Sequence, residues 1–238
     1  MMQRDPTREP TPAPTIQDYT PLAETYEANR YVEGVHVAQE ARRPRVLTGL
    51  LPPRVCRAAD VACGTGRGLS ILTSFADTVV GVDGTLAMLT VARAKLGPTA
   101  GVAQANAAKL PFTDGTFDLI TCLNFVHLFA TVEEKSAFIA EMGRVLKPQG
   151  VLIVEFDNAL QGLVVGGVRK YLGRDIGYDW PWQVRGAFRR DMFTVSRIDG
   201  ANLPFVWRIP LVRHLDNYTR LFPLNYLASR LMVRAVRR

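Results

Sequence analysis

A glycine-containing turn, followed at a distance by an acidic residue, is the part of this chain best suited to chemistry. Residues 60–67 read Asp-Val-Ala-Cys-Gly-Thr-Gly-Arg and follow a short segment typical of a strand. The glycines permit a tight turn and let the backbone approach a ligand closely. Asp83 stands 19 residues after Gly64, at the end of the apolar run 79–82. A carboxylate there can accept hydrogen bonds from both ribose hydroxyls, so we expect a nucleoside-type cofactor.

The glycine spacing separates this turn from other nucleotide-binding loops. The dinucleotide pattern Gly-x-Gly-x-x-Gly fails from Gly64, because Leu69 holds the third glycine position, and it fails again from Gly66, because Ile71 does. A phosphate loop of the form G-x-x-x-x-G-K-[ST] does not occur. A glycine-rich turn between a strand and a helix, with no ligand, remains the alternative from spacing alone.

Four segments, taken in order, resemble the motifs of class I S-adenosylmethionine (SAM) dependent methyltransferases. Residues 58–67 resemble the motif usually written L-D-x-G-C-G-T-G, and residues 81–89 resemble the second motif. Residues 106–118 are similar to D-A-x-x-L-P-F-x-x-x-x-F-D, and residues 144–150 are similar to R-V-L-K-P-G-G. The resemblance covers residues 46–157 and is strongest to small-molecule enzymes such as the quinone-biosynthesis C-methyltransferases.

Two residues depart from the family pattern. Ala62 replaces the first glycine of the first motif, and Asn106 replaces the usual acid on the adenine side. Alanine is small enough to fit the turn, and an amide still offers an acceptor and donors to the adenine edge. We therefore expect cofactor binding to survive both changes.

The alternation of strand-like and helix-like segments predicts an α/β protein with a parallel sheet. The resemblance implies a Rossmann-like, doubly wound sheet of seven strands, mostly parallel with an antiparallel last strand, and helices on both faces. The expected strands are 55–61, 78–82, 101–105, 117–123, 151–154, 193–198 and 231–236.

Helices are expected between these strands. Thr131 and Glu134 form a capping box that starts a helix reaching Leu146, and Pro148 and Gly150 are expected to stop that helix. Its Phe138, Met142 and Val145 share one face. The other expected helices are 16–29, 37–50, 67–75, 86–96 (with Leu86, Leu89 and Leu96 on one stripe) and an amphipathic stretch within 206–230.

The chain divides into a tail and one domain. Residues 1–15 are rich in proline and are expected to be disordered. Residues 16–238 are expected to form a single methyltransferase domain. Within it, 16–45 form N-terminal cap helices, 46–157 form the SAM-binding core, and 158–238 form a basic, aromatic region that lies on the substrate side and completes the sheet.

Charge is unevenly distributed along the 238 residues, whose net charge is +7. Residues 1–168 carry 15 Lys+Arg and 17 Asp+Glu, whereas residues 169–238 carry 14 and 5. This balance suits an anionic or lipid-like acceptor, or peripheral contact with a membrane. An ordinary solvated basic face is an equally good interpretation. We expect no nucleic-acid partner, because no RNA-recognition signature occurs.

The cysteines and the apolar segments bear on metal binding and on cellular location. The cysteines Cys56, Cys63 and Cys122 show neither a C-x-x-C pair nor metal-ligand spacing, so we expect no metal site. Neither a signal-peptide core nor an apolar run of ~18 residues occurs, which favours a cytoplasmic protein, with membrane contact at most peripheral.

The resemblance and the position of ligands at strand ends together imply a set of cofactor residues. The backbone of residues 64–66 is expected near the methionine part of SAM, with Asp60 at its cationic end. Asp83 is expected on the ribose, and Asn106 and Ala107 at the adenine. The full expected set is Asp60, Ala62, Cys63, Gly64, Thr65, Gly66, Asp83, Gly84, Asn106, Ala107 and Asn124, the last near the methionine amino group.

The implied activity is transfer of a methyl group to a small-molecule or lipid-like acceptor by in-line displacement from a sulfonium. The protein mainly aligns the acceptor, and a general base is needed only if the acceptor must lose a proton. His127 is the best-placed candidate base, although a structural role is equally open; Asp157, Tyr178 and Tyr19 are weaker. The alternatives are a non-catalytic SAM-binding sensor or partner subunit and, less favoured by the glycine spacing, a nucleotide-dependent oxidoreductase.

Overall fold

The structure is a computed structural model that describes residues 19–26, 42–160, 178–201 and 224–238. The expected tail (1–15) and most of the expected amphipathic stretch (206–230) lie outside these ranges.

Seven strands form one sheet in the order β3-β2-β1-β4-β5-β7-β6. Strand β7 is antiparallel to both of its neighbours, β5 and β6, and the other adjacent pairs are parallel. The expected Rossmann-like sheet with an antiparallel last strand is therefore confirmed. The strands are β1 (Val55–Val61), β2 (Ala76–Asp83), β3 (Gly101–Gln104), β4 (Phe117–Cys122), β5 (Leu146–Asp157), β6 (Phe193–Ala201) and β7 (Arg230–Arg237).

Helices cover both faces of the sheet. One core cluster joins α4 and the short 3-10 helix Val184–Ala187 to the sheet, and a second joins α1 and α2 to the opposite face. No helix among the described residues is long and apolar enough to cross a membrane. The helices are α1 (residues 42–48), α2 (Arg67–Leu72), α3 (Leu86–Leu96), α4 (Val132–Val145) and α5 (Leu224–Leu227).

Apolar and polar residues do not alternate in the apolar run of β5, because both faces of this strand are covered. Leu152 and Val154 belong to the core cluster on one face, whereas Val151 and Ile153 belong to the cluster on the other. Successive side chains of a strand point to opposite faces, so a strand covered on both sides must be apolar throughout.

Helix α4 begins as the sequence predicts. The Glu134 backbone N–H donates to Thr131 Oγ1 at 3.2 Å, and the Thr131 backbone N–H donates to Glu134 Oε2 at 3.0 Å. This reciprocal capping box satisfies donors that the first turn leaves without helical partners. Phe138 and Met142 are buried in the core, as expected of one apolar face.

Three expected boundaries are wrong in detail. Helix α4 ends at Val145, and Pro148 and Gly150 lie inside β5, where Gln149 has a φ of 63° and the register with β4 shifts. The turn is therefore an irregularity within the strand and not a helix stop. Helix α2 ends at Leu72 instead of Phe75. Residues 73–75 form a turn that leads into β2, and the Phe75 carbonyl accepts the Val55 N–H at the start of β1.

The expected apolar stripe of α3 is also corrected. Leu86 is 62% exposed, whereas Leu89 is buried together with Met88 and Ala92. The buried face of α3 is centred on these three residues, which turns Leu86 toward solvent.

A buried ion pair connects the segment 178–201 to α4. Lys135 and Asp179 are 1% and 3% exposed, and Lys135 Nζ lies 2.6 Å from Asp179 Oδ2. Burial raises the pKa of Asp179, and the hydrogen bond from Lys135 opposes that rise. The Asp179 backbone N–H also donates to the Asp157 carbonyl at the end of β5. The pair therefore joins α4, β5 and this segment.

Lys135→Met is expected to destabilise the protein by about 3–5 kcal/mol, because it leaves Asp179 buried without its cation. Denaturant unfolding measures the loss. The matched control is Lys147→Met, whose pair with Asp118 is 41% and 25% exposed and so contributes at most about 1 kcal/mol. Adding Asp179→Asn to Lys135→Met should restore part of the stability. Equal losses in the two single variants would contradict this account.

Candidate functional site

A cavity of about 420 Å³ lies at the carboxyl ends of β1, β2, β3 and β4. Open α/β sheets bind ligands at this edge, because the loops leaving parallel strands meet there. Of the cofactor residues expected from the sequence, all except Gly66 line the cavity wall. The topology therefore brings together residues from 60 to 124 that are far apart in the chain.

The Asp83 carboxylate is held in place by the backbone on both sides. The Gly64 N–H donates to Asp83 Oδ2 and the Thr85 N–H donates to Asp83 Oδ1, each at 2.9 Å. Each carboxylate oxygen keeps further acceptor capacity after these bonds. Asp83 is thus a fixed, ionisable acceptor in the cavity wall, tied to the glycine loop.

The two glycines of the first motif have different roles. At Gly64, which has a φ of 53°, an added Cβ would meet nothing within 4 Å, so this backbone borders open space. At Gly66, which has a φ of 81°, an added Cβ would lie 3.1 Å from Ala92 Cβ and 3.1 Å from Leu96 Cδ1. Gly66 therefore permits close packing against α3. It does not line the cavity, and its expected contact with the cofactor stays a prediction.

Ala62 adopts the conformation that glycine normally supplies. Its φ is 58°, and it lines the cavity. An L-residue in this left-handed region costs about 1–2 kcal/mol relative to ordinary helical conformations. The turn therefore keeps the shape of the family motif despite the substitution, at the expense of local backbone strain.

Asp60 is a buried carboxylate in the wall. It is 2% exposed, and Thr121 Oγ1 on the neighbouring strand donates to Asp60 Oδ1 at 2.5 Å. Burial raises the pKa of Asp60 to about 7, with a smaller contribution from Asp83 and opposition from the Thr121 hydrogen bond. An added Cβ at Gly68 would lie 2.6 Å from Asp60 Oδ2, so only glycine leaves room for this carboxylate.

Cys63 has the packing environment expected of it. It is buried, and burial raises the pKa of its thiol well above the usual range. An added Cβ at Gly81 would lie 2.8 Å from Cys63 Sγ, which shows how closely the loop packs on β2. A thiol is a poor nucleophile without ionisation.

Asn106 forms a local turn at the end of β3. Its side-chain Oδ1 accepts the Ala108 backbone N–H at 2.8 Å, and the residue is exposed on the cavity wall. This side-chain-to-backbone bond shapes the turn. The side-chain amide donors of Asn106 complement an acceptor on a ligand.

A polar chain of contacts runs from the cavity wall to His127. Arg230 Nη1 donates to Asn124 Oδ1 at 2.8 Å and lies 2.5 Å from Asp157 Oδ1. Asp157 Oδ2 lies 3.9 Å from His127 Nδ1. Asn124 lines the cavity, whereas His127 is not part of the described wall. The candidate base is therefore beside the cavity and not inside it.

Sequence reasoning missed one of the two arginines in the wall, which are Arg43 and Arg67. Arg43, on α1, lines the cavity, and its Nε donates to Glu155 Oε1 at 3.2 Å. Glu155 is 2% exposed, and its Oε2 has no hydrogen-bond partner among the described residues. No local motif marks Arg43, because its partner lies 112 residues further along the chain.

Part of the wall is aromatic. Phe129 and Phe138 lie with ring centroids 5.0 Å apart, and Phe125 lies 5.2 Å from Phe138. Tyr19 and Tyr26, from the N-terminal segment, also line the cavity and make an edge contact at 5.9 Å. Two tyrosines of the N-terminal segment therefore belong to the wall, and the expected cap over the ligand stays a prediction.

A parallel sheet with a glycine loop after β1 and a carboxylate after β2 is the arrangement of Rossmann-like nucleoside-binding domains. The family described as "Methyltransferase domain" matches residues 59–154. This span runs from β1 to β5 and contains most of the cavity wall.

Individual proteins agree with that match. The chain is 28% identical over 171 residues to the ubiquinone/menaquinone biosynthesis C-methyltransferase of Campylobacter jejuni, covering 68% of this chain and 71% of that protein. It is 32% identical over 123 residues to a protein of Mycobacterium tuberculosis described as a probable SAM-dependent methyltransferase, covering 50% and 43%.

A solved structure extends the likeness to the fold. Phosphoethanolamine N-methyltransferase 1 of Haemonchus contortus, in complex with phosphoethanolamine and S-adenosylhomocysteine, superposes with a TM-score of 0.67 at 13% identity, covering 92% of this chain and 47% of that one. Residues 59–154 thus match a methyltransferase-domain family, and the relatives support a class I SAM-dependent methyltransferase with SAM as its cofactor.

Asp60→Asn is expected to stabilise the cofactor-free protein at alkaline pH. The pKa of Asp60 is raised from 3.8 to about 7 on folding, so its contribution to stability is present below about pH 4 and is lost as the pH rises to about 7. The variant should therefore gain roughly 2–4 kcal/mol over the parent above pH 7. The advantage should shrink steadily as the pH falls toward 4.

Thermal or denaturant unfolding of both proteins at several pH values tests this expectation. Asp77→Asn is the control, since it removes a carboxylate that is 57% exposed and lies at the other end of β2. A stability difference between parent and Asp60→Asn that does not change with pH would show that Asp60 is ionised throughout.

Proposed function

We propose that the protein transfers the methyl group of SAM to a small-molecule or lipid-like acceptor by in-line displacement. The observation that carries the proposal is the mixed chemistry of the cavity wall. The wall contains charged groups at the strand ends, with Asp60 and Asp83 among them, and aromatic rings such as Phe125, Phe129 and Phe138. The charged groups suit the cofactor, and the aromatic rings suit an apolar acceptor.

The ribose and adenine of SAM are assigned to the loops after β2 and β3. Asp83 would accept both ribose hydroxyls, since its carboxylate is already oriented by the Gly64 and Thr85 N–H groups. Asn106 and Ala107 would border the adenine, where the Asn106 amide supplies the polar contact. The open space at Gly64 fits a ligand lying against the backbone.

The methionine end of SAM carries an ammonium, a carboxylate and the sulfonium. Asp60 and Asn124 are groups in the wall that suit the cations. Two arginines, Arg43 and Arg67, line the wall and suit the carboxylate, and we assign Arg43 to it. Glu155 holds Arg43 from behind through the 3.2 Å hydrogen bond, which limits the positions that the guanidinium can take. Arg43 is thus an addition to the residues that the sequence identified.

When bound, SAM supplies an electrophilic methyl group on a positively charged sulfur. The contribution of the chain is to hold an acceptor against the aromatic rings of the cavity wall and to keep water away from it. The names of the C. jejuni relatives place those proteins in quinone biosynthesis. That supports an acceptor with a large apolar part for this chain as well.

His127 is the proposed base for an acceptor that must lose a proton. Asp157 lies 3.9 Å from its Nδ1, and Arg230 fixes Asp157 in turn. A carboxylate beside one ring nitrogen favours a proton there and leaves the other nitrogen as the acceptor. A phenol or carbon acid would need this step, whereas an amine that is already neutral would not.

Asp83→Asn is expected to weaken SAM binding by roughly 10- to 150-fold, because a charge-assisted hydrogen bond contributes about 1.5–3 kcal/mol. Calorimetric titration with SAM and with S-adenosylhomocysteine measures the change. The matched control is Asp77→Asn, which removes a 57% exposed carboxylate from the opposite end of the same strand. Unchanged affinity in Asp83→Asn would refute the ribose assignment.

The acceptor can be found with methyl-labelled SAM and a small-molecule and lipid extract of cells. The parent should label at least one extractable compound, and Asp83→Asn should label it more weakly at a subsaturating SAM concentration. Absence of any labelled compound, with SAM still bound, would favour the sensor interpretation.

His127→Ala is expected to lower the rate of labelling by about 10²-fold or more, while leaving the Kd for SAM unchanged. In the parent the rate should rise with pH as the imidazole loses its proton, and His127→Ala should lose that dependence. Full turnover of the variant at every pH would show that the base role is wrong.

A further inference from the structure

We propose that Arg230 is a positioning residue for the candidate base His127 and that it acts through the Asp157 carboxylate. Its guanidinium holds Asp157 beside the imidazole, joins it to Asn124 in the cavity wall, and offsets part of the negative charge that the imidazole meets. Arg230 thereby lowers the pH at which His127 gives up its proton. The inference rests on the proposed function in one respect, the use of His127 as a base. The effect of Arg230 on the ring itself requires no catalysis.

Pairing between β5 and β7 places Arg230 next to Asp157. The two residues are register partners in this antiparallel pair, so their side chains leave the sheet on the same side. Asn158, which is buried just after β5, donates from Nδ2 to the Ala228 carbonyl at 2.6 Å and from its backbone N–H to the Ser229 carbonyl at 3.0 Å. The chain entering β7 is therefore fixed to the end of β5, and the backbone position of Arg230 is fixed with it.

One guanidinium nitrogen of Arg230 serves two acceptors at this end of the sheet. Arg230 Nη1 lies 2.5 Å from Asp157 Oδ1 and donates to Asn124 Oδ1 at 2.8 Å. A terminal guanidinium nitrogen carries two hydrogens, so both contacts form together. The side chains of Arg230 and Asp157 are 18% and 12% exposed, so their attraction is screened less than that of a surface pair.

The other oxygen of the same carboxylate faces His127. Asp157 Oδ2 lies 3.9 Å from His127 Nδ1, and the imidazole is 18% exposed. This distance is too long for a hydrogen bond but short enough for a substantial electrostatic effect. The Asp157 carboxylate thus lies between two basic groups, Arg230 at one oxygen and His127 at the other.

The charge of Arg230 opposes that of Asp157 at the imidazole. A carboxylate alone beside an imidazole favours the protonated ring, which cannot act as a base. A cation at the far oxygen of that carboxylate offsets this effect and also repels the imidazolium directly. The neutral ring of His127 is therefore populated at a lower pH than Asp157 alone would allow.

A second ion pair lies close to Asp157. The Asp179 backbone N–H donates to the Asp157 carbonyl at 2.9 Å. Burial raises the pKa of Asp179, and the nearby charge of Asp157 adds to that rise. Lys135 of α4 lies 2.6 Å from the Asp179 carboxylate, so these two charges offset each other. The charge that Asp157 presents to His127 is therefore set mainly by Arg230.

An NMR titration of the His127 ring tests the proposal without any acceptor. The chain has three histidines, and the His127 signal is the one that disappears in His127→Ala. Arg230→Gln should raise the midpoint of the His127 titration by about 0.5–1 pH unit, because it removes the cation and leaves Asp157 in place. Arg230→Lys keeps a cation with three hydrogen-bond donors, so it should restore most of the parent's midpoint.

Two further variants separate this role from a structural one. Asp157→Asn keeps the shape of the side chain but removes its charge, so it should lower the His127 midpoint. Arg237→Gln is the matched control, since it removes a cation from the opposite end of β7, and it should leave that midpoint unchanged.

Three results would overturn the proposal: an unchanged or lower midpoint in Arg230→Gln, an equal rise in Arg237→Gln, or a midpoint in Asp157→Asn that is not below the parent's. The last result decides the matter even where Arg230→Gln does not fold, because Arg230 is proposed to act through the charge of Asp157.

The methyl-labelling assay separates this proposal from the base role of His127. In Arg230→Gln the pH dependence of labelling should move upward by the same amount as the NMR midpoint. A raised midpoint together with full turnover of His127→Ala would overturn the base role and leave the effect of Arg230 on the ring standing. Loss of turnover in His127→Ala, with an unchanged midpoint in Arg230→Gln, would do the reverse.

Discussion

The hydrogen bond from the Gly64 N–H to Asp83 is the contact on which the site depends. It joins the loop after β1 to the end of β2, so the open backbone at Gly64 and the Asp83 carboxylate have a fixed separation. The Thr85 N–H donates to the other oxygen of the Asp83 carboxylate and so fixes its orientation. Thr85 lies just before α3 begins. Gly66 then lets α3 pack closely against the loop. Each of these features would be lost if the loop and the strand end moved apart.

The same edge of the sheet also carries Asp60, a carboxylate whose burial is unfavourable for folding when it is ionised. Asp60 is buried with a pKa of about 7, and Thr121 offsets only part of the cost of burying its charge. A cationic ligand beside this carboxylate would restore the interaction that water supplies in the unfolded chain. Functional sites often retain such groups because stability alone does not select them. The proposed binding of a cationic ligand would therefore explain the position of Asp60, which its contribution to folding does not.

Local signals were sufficient for most of the fold. β1 and α3 begin and end where the sequence predicts, since a glycine turn follows one and Gly97, at a φ of 56°, ends the other. The differences lie where distant parts of the chain meet. Helix α2 ends early in a turn whose Phe75 carbonyl accepts the Val55 N–H of β1, and Gly66 permits the close approach of α3 and does not line the cavity. Neither partner is visible in the residues nearby.

The sequence likewise predicted one part of the candidate site and missed another. The motif residues reach the cavity because strand ends in a parallel sheet must meet at one edge, which sequence order alone determines. Arg43 was not predicted, because it reaches the wall from α1 and is held by Glu155 on β5. The position of His127 outside the described wall was not predictable either. The sequence indicates which loop carries His127 but not where its side chain points.

The antiparallel direction of β7 explains how the end of the chain reaches the site. A strand that enters the sheet antiparallel places its first residue, and not its last, at the cofactor edge. Arg230, the first residue of β7, therefore contacts Asn124 and Asp157, which follow β4 and end β5. Arg237, near the other end of β7, donates instead to the Leu146 carbonyl at the start of β5. A parallel last strand would exchange these two arginines and leave Asn124 without its cation.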